Sequence, residues 1–452
     1  MKTIIKNGRV IDPSQMTDRV ADIVVEDGMI KAVTEPSGAA GSAADDADEI
    51  IDATGMWVVP GLIDTHVHFR EPGLEYKEEI RTGCLAAAAG GFTAVCTMPN
   101  TKPFVDSVET VEYIKEREAA ANGVKLLQSA CITVGQKGAE IVDMEALKVA
   151  GVYGFSEDGR SVDDIKVMRE AMKRAKSLDM PILDHTEEKA LLDAGACMNR
   201  GKFSDMLGLT GIPAEAEELT AARDILLAKE TGCRLHLQHI STLGSLDIIK
   251  AAKSWGIRVT AETAPHYFAL SDGDITVRDG DAADGTYHCV ETPSGMKADT
   301  HKKMNPPLRT KRDRYAMITA LIDGTIDTIA TDHAPHSAEE KSKPFDQAPF
   351  GIIGLETSFA VSYTELVKKG FINPMRLIAL MSTNAARILG YDGGTLRVGA
   401  RADIAVIDPE EEWTVNAEEF KSKGRNTPFE GMKLTGRVRL TMADGNVIYR
   451  KE

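Results

Sequence analysis

The 452-residue chain is predicted to be an α/β protein: a (β/α)8 TIM-type barrel with a small composite β-sandwich formed by its N- and C-terminal segments. Three observations predict this. Through the middle of the chain, short β-branched apolar runs alternate with amphipathic runs of helical period, as in a parallel sheet covered by helices. Eight strand-like runs can be counted there, the number that closes a barrel. Both ends instead carry short β-like runs separated by turn signals. A doubly wound open sheet is the alternative, but no G-x-G-x-x-G follows the first strand.

Residues 1–55 hold the runs Lys2–Ile5, Ala21–Glu26 and Met29–Val33, with Asn7-Gly8 and Asp27-Gly28 as turn signals. Residues 38–46 are small and polar and are expected to form a mobile surface loop. The barrel is expected over 56–391. Its strand candidates are Val58–Thr65, Thr93–Met98, Lys125–Ile132, Gly151–Phe155, Pro181–Asp184, Arg234–Gln238, Arg258–Glu262 and Thr328–Thr331. Glu109–Asn122 and Ile165–Leu178 are examples of the amphipathic runs between them. Residues 392–452 return to the character of the N-terminus, as in Ala402–Pro409 and Val438–Tyr449, and are predicted to join 1–55 in the sandwich. The Gly- and Asp-containing stretch 271–302 suits a mobile lid, whose shortening should alter KM or kcat and leave the thermal transition nearly unchanged.

Composition narrows the function. Fifty-three basic against 69 acidic residues give a net charge of −16, which argues against nucleic acid and anionic membranes as general partners. The six cysteines are scattered without a C-x-x-C and read as reduced, mostly buried thiols. The N-terminus has no long apolar stretch or cleavage pattern, and no run reaches membrane-spanning length, so a cytoplasmic protein is expected.

The most informative segment is Ile63-Asp64-Thr65-His66-Val67-His68-Phe69-Arg70-Glu71-Pro72-Gly73. It follows an apolar strand, and residues i and i+2 of a strand point to one side, so His66 and His68 project together. Two converging imidazoles suit a divalent metal, most naturally zinc. In a barrel, chemistry gathers at the C-terminal strand ends. There the chain places Asp158 after the fourth strand, His185 after the fifth, His239 after the sixth and Asp332 after the eighth. Together these six groups suffice for two adjacent cations. Of the other histidines, His236 lies mid-strand facing away from His239 and reads as a packing residue or a support for a ligand. His288 and His301, in the 271–302 stretch, are expected at the surface. His333 reads as structural, and His266 either lines the mouth or is structural.

The motifs His66-Val67-His68-Phe69-Arg70-Glu71-Pro72-Gly73, Met98-Pro99-Asn100-Thr101, Lys303-Met304-Asn305-Pro306-Pro307-Leu308-Arg309 and Ala330-Thr331-Asp332-His333-Ala334-Pro335-His336 resemble the class I dihydroorotases of the amidohydrolase superfamily, over nearly the whole chain. The resemblance implies one or two zinc ions held by His66, His68, Asp158, His185, His239 and Asp332. It implies substrate contacts from Arg70, Asn100, Asn305 and His336, with Asp332 also carrying the proton. The substrate pair would be N-carbamoyl-L-aspartate and L-dihydroorotate, in pyrimidine synthesis. A homodimer, and association with aspartate carbamoyltransferase, are further implications.

Hydantoinases, allantoinases and other dihydroorotase classes carry a carboxylated lysine after the fourth strand. Here that place reads Gly154-Phe155-Ser156-Glu157-Asp158, which resembles the class I pattern. The 271–302 stretch departs from the family in being longer than its usual connection. A hydantoinase, dihydropyrimidinase or allantoinase is the second enzyme reading. A non-catalytic barrel kept as a scaffold subunit is the third, and the retention of all six metal-binding candidates speaks against it.

Overall fold

Runs from both chain ends share one eight-stranded sheet in the computed structural model, which describes residues 1–36, 47–118, 121–277 and 289–451. From the N-terminus come β1 (Lys2–Asp12), β2 (Thr17–Glu26), β3 (Met29–Thr34), β4 (Glu49–Asp52) and β5 (Trp57–Pro60). From the C-terminus come β20 (Ile404–Thr414), β21 (Lys433–Ala443) and β22 (Asn446–Arg450). Their order is β22-β21-β20-β5-β1-β2-β3, with β4 also on β1, so β5 joins the two ends. Ile5, Val10, Ile23, Val25 and Val58 pack with Ile404, Val406, Leu440 and Met442 in one buried cluster.

Asp27-Gly28 is the two-residue turn expected, with both residues at positive φ (51° and 79°), which matches the right-handed twist of a hairpin. Asn7-Gly8 is not a turn. It interrupts the pairing register inside the eleven-residue β1, a bulge in which Asn7 N–H donates to Asp22. A Cβ on Gly8 would lie 2.3 Å from Val58 Cγ2, so close backbone approach is what the glycine provides. The 38–46 stretch lies outside the described residues.

The central strands run parallel. β6 (Leu62–Val67) pairs with β7 (Phe92–Thr97), which pairs with β8 (Lys125–Leu126). Two residues later the chain resumes as β9 (Ser129–Cys131), followed in space by β10 (Gly154–Ser156), β11 (Pro181–Asp184), β14 (Arg234–Leu237), β15 (Val259–Thr263) and β19 (Thr328–Ile329). A parallel bridge between Val67 and His333 returns the last of these to β6, and His68 N–H donates to His333 O at 2.8 Å. β7 is buried along its whole length, as a strand covered on both faces must be. The helix Ile165–Ser177 shows why its neighbourhood folds as it does. Met168, Ala171, Met172 and Ala175 form its buried stripe, and the Asp164 carboxylate caps its first turn by accepting from Lys166 and Val167 N–H.

The strand expected over Val58–Thr65 is two strands divided at Gly61. Gly61 N–H donates to Asp403 O, and a Cβ there would lie 2.2 Å from Thr93 Oγ1. Trp57–Pro60 therefore belong to the terminal sheet, and the change of sheet falls at Gly61, five residues beyond the boundary read from the sequence at 55/56. Two smaller additions are a ribbon of β12 (Met198–Asn199) and β13 (Gly211–Ile212), and a three-stranded sheet of β16 (Thr276–Val277), β17 (Cys289–Glu291) and β18 (Lys297–Asp299).

That three-stranded sheet changes the reading of 271–302. Ile275, Val277, Ala298, Asp299 and Thr300 are buried, as is His301, which was expected at the surface. His301 sits in a tight turn, and its N–H donates to the Asp299 carboxylate that caps it. His288 lies outside the described residues. Shortening Val277–Ala298 is thus expected to lower the thermal transition measurably, because it removes buried Val277 and Ala298 together with their pairing. An unchanged melting temperature in calorimetry would restore the lid reading. Among the described residues, no helix is long and apolar enough to cross a membrane.

Candidate metal centre

The six candidate ligands meet at one buried point. His66 and His68, two residues apart at the end of β6, present rings 5.2 Å apart. The Asp158 carboxylate stands between them and the opposite wall. Its Oδ1 lies 3.3 Å from His66 Nε2, 3.5 Å from His185 Nδ1 and 3.6 Å from His239 Nε2, and its Oδ2 lies 3.5 Å from His68 Nε2. Asp332 Oδ1 completes the group at 3.2 Å from His68 Nε2 and 3.7 Å from His66 Nε2. All six side chains are buried.

Two overlapping sets have the spacing a cation requires: His66, Asp158 and His239, and His66, His68 and Asp332. His66 Nε2, which belongs to both, is buried with no hydrogen-bond partner. His185 Nδ1 and His239 Nε2 face each other at 2.8 Å, so two ring nitrogens from different strands converge beside Asp158. Buried nitrogen and carboxylate donors converging on one point, with His66 Nε2 left unpartnered, fit a bound divalent metal. Burial opposes ionisation of Asp158 and Asp332, yet the surrounding imidazoles hold both carboxyls below their ordinary range.

The backbone bears the cost of aiming these groups. Arg70, His239 and Asp332 have positive φ (62°, 37° and 50°), a region that non-glycine residues enter only under constraint.

A layer behind the ligands was not legible beforehand. Glu262 accepts from His66 Nδ1 at 3.0 Å, from His236 Nε2 at 2.9 Å and from the Thr65 hydroxyl. This fixes the His66 tautomer and turns its Nε2 toward the centre. His236 is thus the support for a ligand that its position suggested. Asp64 Oδ1 accepts from His66 N–H at 3.0 Å and Thr331 N–H at 3.1 Å, tying the end of β6 to the Asp332 segment. Burial raises the Asp64 carboxyl to about 7, against those two bonds. An acid flanked by strand residues, as in Val259-Thr260-Ala261-Glu262-Thr263, is the signal that marks such a residue.

Above the ligands lies a cavity of about 380 Å³ whose wall includes His68, Arg70, Asn100, Asp158, His185, His239, Asn305 and Asp332. His66 is not on this wall; it is buried beneath it. Asn100 is committed to the ligands, its Oδ1 accepting from His68 Nδ1 and its Nδ2 donating to Asp158 Oδ2, both at 3.0 Å. Asn305 Nδ2 donates to Glu187 Oε1 at 2.9 Å. His336 stands behind Arg70 rather than on the wall, with Nε2 3.3 Å from an Arg70 nitrogen. Burial and the charges of Arg70 and Lys77 keep this imidazole neutral. That assigns Nε2–H to Phe350 O (2.8 Å) and leaves Nδ1 to accept from Lys77 Nζ (3.2 Å). His333 is structural: its Nδ1 accepts from Gly354 N–H at 3.2 Å, and its Nε2 faces Glu78. His266 is buried and does not line the cavity.

Comparison with known proteins adds an independent line. Residues 55–245 match the family described as dihydro-orotase-like, and 374–449 match an amidohydrolase family. Relatives called dihydroorotase include one from a Geobacter strain, 46% identical over 450 residues with both chains covered completely. Another, from Bacillus cereus, is 45% identical over 452 residues and is matched over 100% of this chain and 99% of its own. Among solved structures, the L-hydantoinase (dihydropyrimidinase) of Arthrobacter aurescens superposes with a TM-score of 0.84 at 26% identity, covering 99% of this chain and 96% of that one. The dihydropyrimidinase of Brevibacillus agri gives 0.81 at 25%, covering 100% and 95%.

Proposed function

The chain belongs to the dihydroorotase family and is a cyclic-amide hydrolase, and from that premise we propose that it interconverts N-carbamoyl-L-aspartate and L-dihydroorotate at a centre of one or two zinc ions. One observation carries this reading: six buried nitrogen and carboxylate donors converge beneath a cavity whose wall also presents a guanidinium. Four imidazoles and two carboxylates form a donor set for a borderline divalent ion such as zinc. When bound, zinc makes water nucleophilic at neutral pH and polarises an amide oxygen.

The chain's own groups supply the rest. Asp332, buried between His66 and His68 and on the cavity wall, takes the proton of the attacking water during ring opening and delivers it to the departing ring nitrogen; ring closure runs the same transfers backward. Arg70 offers a planar fork for the carboxylate that both substrates carry, which lets a strongly acidic protein accept an anion. Behind it, neutral His336 accepts from Lys77, whose ammonium is itself paired with Glu340 at 2.8 Å, so the guanidinium of Arg70 is the charge presented to the cavity. Asn305 and Asn100, both on the cavity wall, hold the substrate, Asn100 while also orienting His68 and Asp158.

The parallel strands, returned to β6 through the Val67–His333 bridge, we read as a (β/α)8 barrel. The terminal sheet we read as a composite β-sandwich of residues 1–60 with 392–452. The family resemblance also implies a homodimer and a complex with aspartate carbamoyltransferase, which sedimentation with and without that enzyme tests.

A hydantoin- or allantoin-type ring is the second reading, favoured by the superposition on L-hydantoinase. The 46% identity to dihydroorotases against 26% to that hydantoinase, and Asp158 in place of a lysine, rank it lower. Arg70→Met separates the two readings. It keeps the apolar stem and deletes the fork, and a charge-assisted hydrogen bond contributes roughly 1.5–3 kcal/mol. The kcat/KM for dihydroorotate is expected to fall at least about tenfold, with any trace turnover of hydantoin or allantoin nearly unchanged. Equal losses on charged and neutral rings would show that Arg70 supports the fold or the metal, and would withdraw the substrate assignment.

A further inference from the structure

The opposite ends of the parallel strands, away from the metal centre, hold a second polar cleft. Arg234 opens β14, and Arg258 immediately precedes β15. These two guanidiniums, with that of Arg387, line a cavity of about 300 Å³ whose other walls are mainly apolar. No carboxylate lines it among the described residues. Asp179, outside the cleft and with its side chain 74% exposed, approaches Arg234 at 3.8 Å and Arg258 at 3.7 Å.

The three arginines are sparsely engaged. A guanidinium carries five N–H donors. Among the described residues, one nitrogen of Arg234 donates to Ile388 O (2.8 Å), one of Arg387 reaches Asn384 Oδ1 at 3.4 Å, and Arg258 reaches only Asp179. The two other polar lining residues, His236 and Thr260, are bonded to each other. His236 is buried, with Nδ1 2.9 Å from Thr260 Oγ1 and Nε2 bound to Glu262. Its nitrogens are therefore committed within the strands, and free donors toward the cleft come from the arginines. Asp179 offsets part of the charge of Arg234 and Arg258, but three guanidiniums against one exposed carboxylate leave the concavity net positive, which an anion would relieve.

We propose that this cleft binds a phosphate-bearing small molecule through Arg234, Arg258 and Arg387. Planar forks match carboxylate and phosphate alike. Three forks around one concavity offer more donors than a two-oxygen carboxylate can accept, and they suit a tetrahedral, many-oxygen anion. The site stands at the ends of the strands opposite the catalytic cavity and shares no lining residue with it.

Inorganic pyrophosphate is the probe, titrated calorimetrically into metal-loaded, full-length protein. Saturable binding is expected, weakened at least about tenfold by Arg258→Gln combined with Arg387→Gln and retained in Arg70→Met, with turnover of the unliganded double variant near that of the parent. Should the double variant fail to fold, Arg258→Lys keeps the charge, removes the fork and is expected to weaken binding alone. Absence of saturable binding, an unchanged affinity in these arginine variants, or a loss caused by Arg70→Met would overturn the proposal; the last would place the anion in the catalytic cavity.

Discussion

Replacing His66 or His68 by alanine is expected to abolish turnover and release the metal, the largest effect of any single change in this chain. His66 Nε2 belongs to both candidate ligand sets, and His68 Nε2 sits 3.2 Å from Asp332 Oδ1 and 3.5 Å from Asp158 Oδ2. Removing either ring leaves buried carboxylates facing one another with fewer donors between them, an arrangement that needs a cation and can no longer hold one well. Metal analysis of the purified protein should find at least one zinc per chain. A chelator should remove it together with activity, and added zinc should restore both. In the alanine variants added zinc should restore neither. A metal-free preparation with full activity would refute the zinc centre outright.

Asp332→Asn is expected to cost about 10²–10⁴-fold in kcat, the usual contribution of a positioned acid–base group, with metal largely retained. The amide matches the carboxylate in shape and keeps an oxygen toward His68, but it cannot accept a proton. Its left-handed backbone (φ 50°) is one that asparagine also tolerates, so the fold should survive the change. Metal content measured beside turnover separates the two roles of this residue. Near-normal turnover would assign proton transfer to another group, whereas parallel loss of metal and rate would reduce Asp332 to a ligand.

The reach of sequence reasoning differs from residue to residue. His66 and His68 were legible because a strand has a period of two, and that period places them on one side whatever surrounds them. Asp158, His185, His239 and Asp332 were legible because each stands just past a short strand-like run, and parallel strands collect their C-terminal ends on one side of a sheet. Neither inference needs to know which strand neighbours which. The split at Gly61 was hidden because Trp57–Val67 reads as one apolar run. Only the partners of each half, β1 and β20 on one side and β7 on the other, separate it into two sheets. The burial of His301 was hidden likewise, since composition alone suggested an open loop.

The sequence by itself determined the alternation of elements, the six candidate metal donors and the class of chemistry they suit, because these rest on local periodicity and side-chain type. Only the tertiary structure decided how those donors are supported. Glu262 meets His66 across 196 positions, Asp64 meets Thr331 across 267, and His336 stands behind Arg70 rather than on the cavity wall. Local pattern states which way a side chain points; what it meets there depends on the register and packing of distant strands, which no short segment encodes alone.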